Sequence, residues 1–139
     1  MTVKTEKVTL ESEGNFYTWN LTEQVRIFVA GSGVKEGLAS VFFQHTTGAA
    51  LIIEHEAGVI ADLEDLLEII APMKGNYLHH MRAVDYNGAS HMRNALLGSA
   101  ITIPVSNGDL LLGKYQEIIA IDMQLDKNPR SLVFQVMGE

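Results

Sequence analysis

The dipeptide Asn107-Gly108 limits the fold of this chain more than any other short feature. It lies between the apolar runs AITIPV and LLLGKYQ. Asn and Gly tolerate the positive φ values that a two-residue hairpin loop requires, so the pattern predicts two antiparallel strands joined by a tight turn. The later segments EIIAIDM and LVFQVMG are apolar and are predicted to continue the sheet. The second half of the chain is therefore expected to be rich in strands.

The first half of the chain contributes further strands. VKTEKVTLES alternates polar and apolar residues, which is typical of a strand with one wet face. A short strand is predicted from Phe16 to Trp19. GLASVFFQH is predicted to form a buried strand that ends at His45, and AALIIEHE a strand that returns from a turn at Thr47 and Gly48.

Three segments have the features of helices. NLTEQVRIFVAGSG has an apolar face, a cap at Asn20 or Thr22, and glycines at its end. GVIADLEDLLEIIAP carries apolar residues at helical spacing until Pro72, and its four acidic residues are interpreted as a solvated face. SHMRNALLG is predicted to be a short helix with Asn87 or Ser90 near its cap. The segment before it is expected to be long and irregular.

The order of these elements indicates the fold class. Strands outnumber helices, and the two kinds are interspersed along the chain. This pattern favours an α+β fold with a sandwich-like, mixed or mostly antiparallel sheet and about three helices. A length of 139 residues fits one compact domain spanning residues 1–139.

Composition argues against several kinds of partner. The chain has 10 Lys and Arg against 17 Asp and Glu, a net charge of −7, and no basic cluster. Nucleic acids and anionic membranes require concentrated positive charge, so neither is expected as a partner. There is no cysteine, so any metal would be held by histidine and carboxylate ligands. The N-terminal residues lack the apolar core of a signal peptide and no apolar run approaches ~20 residues, which predicts a cytoplasmic protein.

Histidines are the first candidates for chemistry. Three of the five lie in NYLHHMRAVDYNGASH. His79 and His80 would point to opposite sides of an extended segment, so one of them is expected to face a site. His91 lies near the start of a helix, where neutral imidazole, the form that binds metals, is favoured. His45 is predicted at a strand end, where side chains reach clefts, but a turn or a capping role would explain these positions equally well.

Two carboxylates complete the set of candidates from the residues alone. Glu54 follows the apolar strand ALII and is either a ligand, a base or a charged turn residue. Asp122 lies inside the apolar run EIIAIDMQL. A buried acid requires a partner, so Asp122 is expected either to pair with Arg or Lys or to line a polar pocket.

Several segments together resemble one protein family. HTTGAALIIEHE, NYLHH, ASHMRNALLGSAITIPVSNGDLLLGKYQEI and the closing VMGE are similar to the YjbQ-like family, from about Leu10 to Glu139. These are small bacterial and archaeal proteins associated with a secondary thiamine-phosphate synthase activity. The resemblance implies a compact α+β fold that assembles as a homotrimer with its sheets packed around the three-fold axis. It also implies a polar site of histidines and a glutamate.

The family's site residues match positions of this chain. The resemblance implies that His45, His79 and His91 form the site with Glu54, and it favours His79 over His80. The chain departs from the family at Ile53, where Asn is usual, in the segment Gly113 to Gln116, and in a turn reduced to Pro129-Arg130. It also has Asp122 where glutamate is usual.

These matches lead to an expected function. His45, His79 and His91 would hold a divalent metal, zinc or magnesium, or polarise a phosphate. Glu54 and Asp122 are the expected catalytic carboxylates, Glu54 as base and Asp122 as support behind the ligands. The other expected substrate contacts are Thr46, Thr47, Arg93, Lys114 and Arg130.

The reaction implied by the resemblance joins a pyrimidine pyrophosphate to a thiazole phosphate and releases pyrophosphate, so a phosphate-bearing small molecule is the expected partner. Two alternatives remain open. The chain is then either a non-catalytic trimer that binds a metal or an anion, or a metal-dependent hydrolase.

Overall fold

Antiparallel pairing organises all the strands of the computed structural model, which describes residues 1–83 and 85–139. One sheet has five strands in the order β1-β8-β3-β5-β6, and the other has three in the order β2-β7-β4. The elements, in chain order, are β1 (Thr2–Leu10), β2 (Thr18–Asn20), α1 (Thr22–Ser32), β3 (Gly37–Phe43), β4 (Gly48–Ile53), α2 (Ala57–Ile70), α3 (Leu78–Ala83), α4 (Gly88–Leu97), β5 (Ala100–Ser106), β6 (Asp109–Leu110), β7 (Glu117–Asp122) and β8 (Arg130–Gly138).

The predicted hairpin forms at Asn107-Gly108. Both residues have positive φ, 53° and 78°, and Val105 pairs with Leu110 across the turn. The prediction that LLLGKYQ continues the sheet is wrong beyond Leu110. The chain turns again there, because the Gln116 side chain accepts a hydrogen bond from the N–H of Gly113, and it then enters the other sheet as β7.

Strand β7 is the centre of the smaller sheet and is covered on both faces. Ile118 and Ala120 face the main core, which also contains the inner faces of β3, β5 and β8 and one side of α1. Ile119 and Ile121 face the opposite side, where Leu63 of α2 packs. A strand buried on both faces has no need for alternation, which explains the continuous apolar run EIIAIDM.

The connection from β3 to β4 differs from the predicted return turn. Strand β3 pairs with β5 and β8, whereas β4 pairs with β7, so the two consecutive strands lie in different sheets. Gly48 begins β4 in close contact with β3, since a Cβ atom at Gly48 would lie 2.1 Å from the Phe43 ring. Strand β3 ends at Phe43, two residues before His45, where the sequence had predicted its end.

Helices α1, α2 and α4 occur where the sequence predicts them. The additional helix α3 lies in the segment that was predicted to be irregular. Its sequence, LHHMRA, is too short to show a helical period, and side-chain contacts with the start of α4 hold it: His79 contacts Asn87 and His80 accepts the N–H of Gly88. Among the described residues, no helix is both long enough and apolar enough to cross a lipid bilayer.

Candidate functional site

A cavity of about 750 Å³ opens where the loop after β3, the loop before α4 and the start of β8 meet. Three of the five histidines lie on its wall, together with both threonines of the HTT sequence and one arginine. Its lining residues are Phe42, Phe43, Gln44, His45, Thr46, Thr47, His79, Asp85, Asn87, His91, Ser99, Gln124 and Arg130.

His45 extends the pairing of β3 with β8 by means of its side chain. The backbone ladder ends at Phe43, and His45 Nε2 accepts the N–H of Ser131 at 2.8 Å. Burial lowers the pKa of His45, the positive charge of Arg130 lowers it further, and Asp122 partly opposes the shift. The ring is therefore neutral near pH 7, and its proton lies on Nδ1 because Nε2 is an acceptor.

His91 is held through one ring nitrogen, and no hydrogen bond among residues 1–83 and 85–139 engages the other. Its Nδ1 lies 3.1 Å from the carbonyl oxygen of Thr46. A carbonyl oxygen only accepts, so Nδ1 carries the proton and Nε2 of the neutral ring keeps its lone pair. A histidine oriented in this way by a backbone carbonyl is typical of metal ligands and of general bases.

His79 contacts His91 inside the cavity. The two ring centroids are 4.6 Å apart, with the planes at 81°. His79 Nε2 lies 3.0 Å from the side-chain oxygen of Asn87, which is almost fully buried, so Nε2 donates and Nδ1 keeps its lone pair. His80 does not line this cavity, because its Nε2 accepts the N–H of Gly88 at 2.9 Å. The histidine that reaches the cavity from α3 is thus His79.

Asp122 lies beneath the cavity and is paired, as one of the two sequence-based alternatives predicted. Its carboxylate is fully buried, accepts a hydrogen bond from the Ser12 hydroxyl, and lies 3.1 Å from Arg130 Nε. The contact with Nε is electrostatic, because Nε makes no well-aligned hydrogen bond to any residue in the described ranges. Arg130 Nη2 donates to the Thr47 hydroxyl at 2.7 Å. Asp122 thereby fixes the one arginine on the cavity wall.

Glu54 lies away from this cavity within the chain. Strand β4 begins beside the cavity at Gly48, which pairs with Asp122, and ends at Ile53, which pairs with Glu117. Glu54 follows the far end of the strand and is exposed. Six residues of extended chain span roughly 20 Å, so Glu54 does not reach these histidines within the same chain.

The other two basic residues expected to contact phosphate also lie elsewhere. Arg93 is 1% exposed and donates to the Ala71 carbonyl and to Glu68, which joins α4 to the end of α2. Lys114 is exposed, and its Nζ lies 5.3 Å from the centroid of the Tyr115 ring. Neither residue lines the cavity.

His79 and His91 have the donor atoms that a divalent cation needs, since each ring makes its hydrogen bond through one nitrogen and the ring centroids are 4.6 Å apart. His45 does not complete a three-histidine site in this arrangement, because its Nε2 is occupied by Ser131 and its Nδ1 carries the proton. Within residues 1–83 and 85–139, no group of three or more His, Asp or Glu side chains is placed to hold a metal ion. The three-ligand site would require His45 to turn away from Ser131.

Three contributors to the site had no role in the sequence-based prediction. Asn87 was considered only as a helix cap, and its short distance from His79 depends on helix α3, which the sequence does not indicate. Ser12 lies in a polar loop, 110 residues from Asp122, and carries no local signal. Asp85, on the cavity wall, was likewise not weighed.

Comparisons with known proteins agree with this fold. The family model described as UPF0047 protein YjbQ-like matches residues 6–139. A UPF0047 protein of Methanothermobacter thermautotrophicus is 34% identical over 130 residues, covering 94% of this chain and 90% of that protein. A UPF0047 protein of Mycobacterium tuberculosis is 38% identical over 114 residues, covering 82% of this chain and 83% of that protein.

Solved structures give the same result. A YbjQ-like protein of unknown function from Sulfolobus solfataricus superimposes with a TM-score of 0.92 at 26% identity, covering 99% of this chain and 98% of the other. A hypothetical protein from Aeropyrum pernix superimposes with a TM-score of 0.89 at 27% identity, covering 98% and 99%. The chain therefore belongs to the YjbQ-like UPF0047 family.

Proposed function

We propose that the cavity binds a phosphate-bearing small molecule and that the chain is an enzyme of the thiamine-phosphate synthase type. The observation that carries this proposal is the pair His79 and His91. Their rings contact each other at 4.6 Å on a cavity wall, and each is oriented through one nitrogen so that the other nitrogen is available. Partly buried imidazoles that are oriented on a cavity wall are more typical of a reactive or binding site than of a surface loop.

Donor groups on the wall suit an anion. His45 offers its Nδ1–H, and Arg130 is fixed at the wall by Asp122 and Thr47. Asp85 is the one carboxylate among the described lining residues, in a chain whose net charge is −7. The anionic end of a substrate would bind where the donors are concentrated.

The reaction implied by the resemblance fits such a wall. A thiazole-phosphate nitrogen bonds to the pyrimidine methylene carbon, and the carbon–oxygen bond to pyrophosphate breaks with its electron pair on the departing oxygen. Negative charge accumulates on the leaving group in the transition state, so N–H donors placed there lower the barrier. His45 and Arg130 would hold this group, and the remaining ring nitrogens of His79 and His91 would face its oxygen atoms, bound either to a proton or to a cation.

A divalent metal, zinc or magnesium, is part of the proposal at the histidine pair. His79 and His91 would hold it through their unprotonated nitrogens. Such an ion would supply additional positive charge for the pyrophosphate.

A homotrimer is also part of the proposal. The outer face of the larger sheet exposes Val3, Leu38 and Met137 as cross-strand neighbours, at 53%, 48% and 42% exposure, and Phe42, four residues further along β3, is 45% exposed. An exposed apolar patch on a sheet face is typical of a subunit contact. Phe42 also lines the cavity, so a subunit contact at Phe42 would bring a neighbouring chain to the cavity. Because Glu54 lies far from the cavity of its own chain, it can act as the expected base only if a neighbouring subunit carries it there.

The proposal is tested by turnover. Untagged protein is given hydroxymethylpyrimidine pyrophosphate and thiazole phosphate, alone and together, and both products are measured. We expect pyrophosphate release only with both substrates, a loss in His91→Gln, and no loss in His55→Gln, whose exposed histidine is not on the cavity wall.

The alternatives give different results in the same assay. Release of phosphate or pyrophosphate from one substrate alone would identify a hydrolase, and binding without turnover a non-catalytic module. Elemental analysis of the wild type and of His79→Gln tests the metal, and sedimentation of Leu38→Glu tests the trimer. The cytoplasmic location stays a prediction of the sequence.

A further inference from the structure

A second cavity lies against the same two histidines. Its volume is about 430 Å³, and His79 and His91 are the residues that it shares with the first cavity. The paired rings therefore form a common wall between two spaces. The remaining lining residues of the second cavity are Asn76, Tyr77, Leu78, Gly88 and Met92.

The two cavities differ in chemistry. Arg130, Asp85, Gln124 and two threonines line the first cavity, whereas the described lining of the second contains no Asp, Glu, Lys or Arg. Leu78 and Met92 are exposed there, at 79% and 49%. Exposed apolar side chains around a concave surface favour an apolar ligand group, because its burial removes apolar area from water on both sides.

One wall of the second cavity is preformed. The Tyr77 hydroxyl donates to the Pro72 carbonyl at 2.7 Å, and the ring lies edge-on to His80 with centroids 5.2 Å apart. Gly88 lets the first turn of α4 approach this ring, since a Cβ atom at Gly88 would lie 2.6 Å from Tyr77 Cβ. The tyrosine and the glycine backbone thus form a fixed surface, and Met92 provides an adaptable one.

We infer that the second cavity is a subsite for an uncharged, flat apolar group of the same small molecule whose phosphate binds in the first cavity. This inference rests on the proposed function and extends it. The bond that joins the two parts of the ligand would lie at His79 and His91, beside their free ring nitrogens. The preferred ligand class is an organic phosphate with an aromatic or similarly flat group a short distance from the phosphate.

The test compares two phosphate esters by calorimetric titration of the full chain. Methyl phosphate reports on the first cavity alone, and benzyl phosphate adds one aromatic ring. We expect benzyl phosphate to bind roughly tenfold or more tightly, the effect of burying a ring of this size. Met92→Gln, which keeps length and adds no charge, should reduce this preference several-fold and leave the affinity for methyl phosphate unchanged.

A matched control is available on the same helix. Leu96 lies one turn after Met92, is 57% exposed and does not line the second cavity, so Leu96→Gln should keep the preference. Equal affinity of wild type for the two esters, or an undiminished preference in Met92→Gln, would overturn the subsite but leave the proposed anion site standing. Binding of neither ester would overturn both.

Discussion

The two ends of the β4–β7 ladder present acidic residues in opposite environments. At the Gly48 end, Asp122 is fully buried and paired with Arg130 beneath the cavity. At the Ile53 end, Glu117 is partly exposed and accepts the Thr22 hydroxyl at 2.5 Å, and Glu54 next to it is open to solvent. The sequence indicated one candidate carboxylate at each end, Asp122 and Glu54. Of these two, Asp122 lies at the end that adjoins the histidines.

The difference shows what a carboxylate needs in order to act in a site. A buried carboxylate must be paired, and the partner then becomes a fixed part of the wall above it. The charge of an exposed carboxylate at a strand end is screened by water, and such a group does not hold a neighbouring side chain in a fixed position. The predictions below ask how far the two ends differ, from the largest expected effect to the smallest.

Removal of the buried carboxylate should have the largest effect. Asp122→Ala leaves Arg130 as an uncompensated buried charge and the Ser12 hydroxyl without its acceptor. We expect the free energy of unfolding to fall by roughly 3–5 kcal/mol, as measured by urea denaturation. A loss below about 1 kcal/mol would mean that the pair is not formed as described.

Loss of the threonine hydroxyl should have an intermediate effect. Thr47→Val removes the nearer of the two acceptors of Arg130 Nη2 and keeps the other, the Thr47 carbonyl at 3.3 Å, as well as the shape of the side chain. Breaking one buried hydrogen bond to a charged group costs roughly 1–3 kcal/mol, so urea denaturation should show a loss in that range. Thr46→Val serves as the control, since Thr46 is exposed and contacts His91 through its backbone carbonyl. Equal losses in the two variants would contradict the assignment.

Low pH should reduce the contribution of His45 to the free energy of unfolding. The pKa of folded His45 lies below its ordinary value of 6.5, chiefly through burial and then through Arg130, so the unfolded chain binds more protons in that window. The contribution of neutral His45 to stability is therefore complete above about pH 6.5 and is lost as the pH falls from there through the folded pKa.

His45→Gln keeps an acceptor for the N–H of Ser131 and cannot be protonated. The difference in unfolding free energy between wild type and His45→Gln should hence change in favour of the variant as the pH is lowered from 7.5 to 5. Parallel pH profiles of the two proteins would show that His45 does not titrate differently on folding.

The smallest effect on stability is expected at the other end of the ladder. Glu54 has no buried contact, so Glu54→Gln should change the free energy of unfolding by less than about 0.5 kcal/mol. The same variant should lose turnover only if a neighbouring subunit carries Glu54 into the cavity. A change in stability as large as that of Asp122→Ala would erase the contrast between the two ends.

Local patterns predicted the parts of the fold that depend on local physics. The Asn107-Gly108 hairpin and helix α2 follow from turn chemistry and apolar periodicity, and the buried Asp122 was correctly expected to have a partner or a pocket. The crossing of the chain between sheets before Gly48 depends on distant contacts that no window of sequence contains, whereas helix α3 depends on side-chain contacts with residues eight positions later, which leave no periodic pattern. The position of Glu54 likewise follows from strand register, which is a tertiary property.

The most direct test of the account is a calorimetric titration of pyrophosphate into the wild type, His91→Gln and His55→Gln. The account predicts saturable binding to the wild type and to His55→Gln, with affinity at least roughly tenfold weaker in His91→Gln, because the ring takes up a proton or a cation at Nε2 when the anion binds and glutamine does not. Equal affinity in all three proteins, or binding to none of them, would contradict the claim that the cavity beside His79 and His91 is a phosphate site.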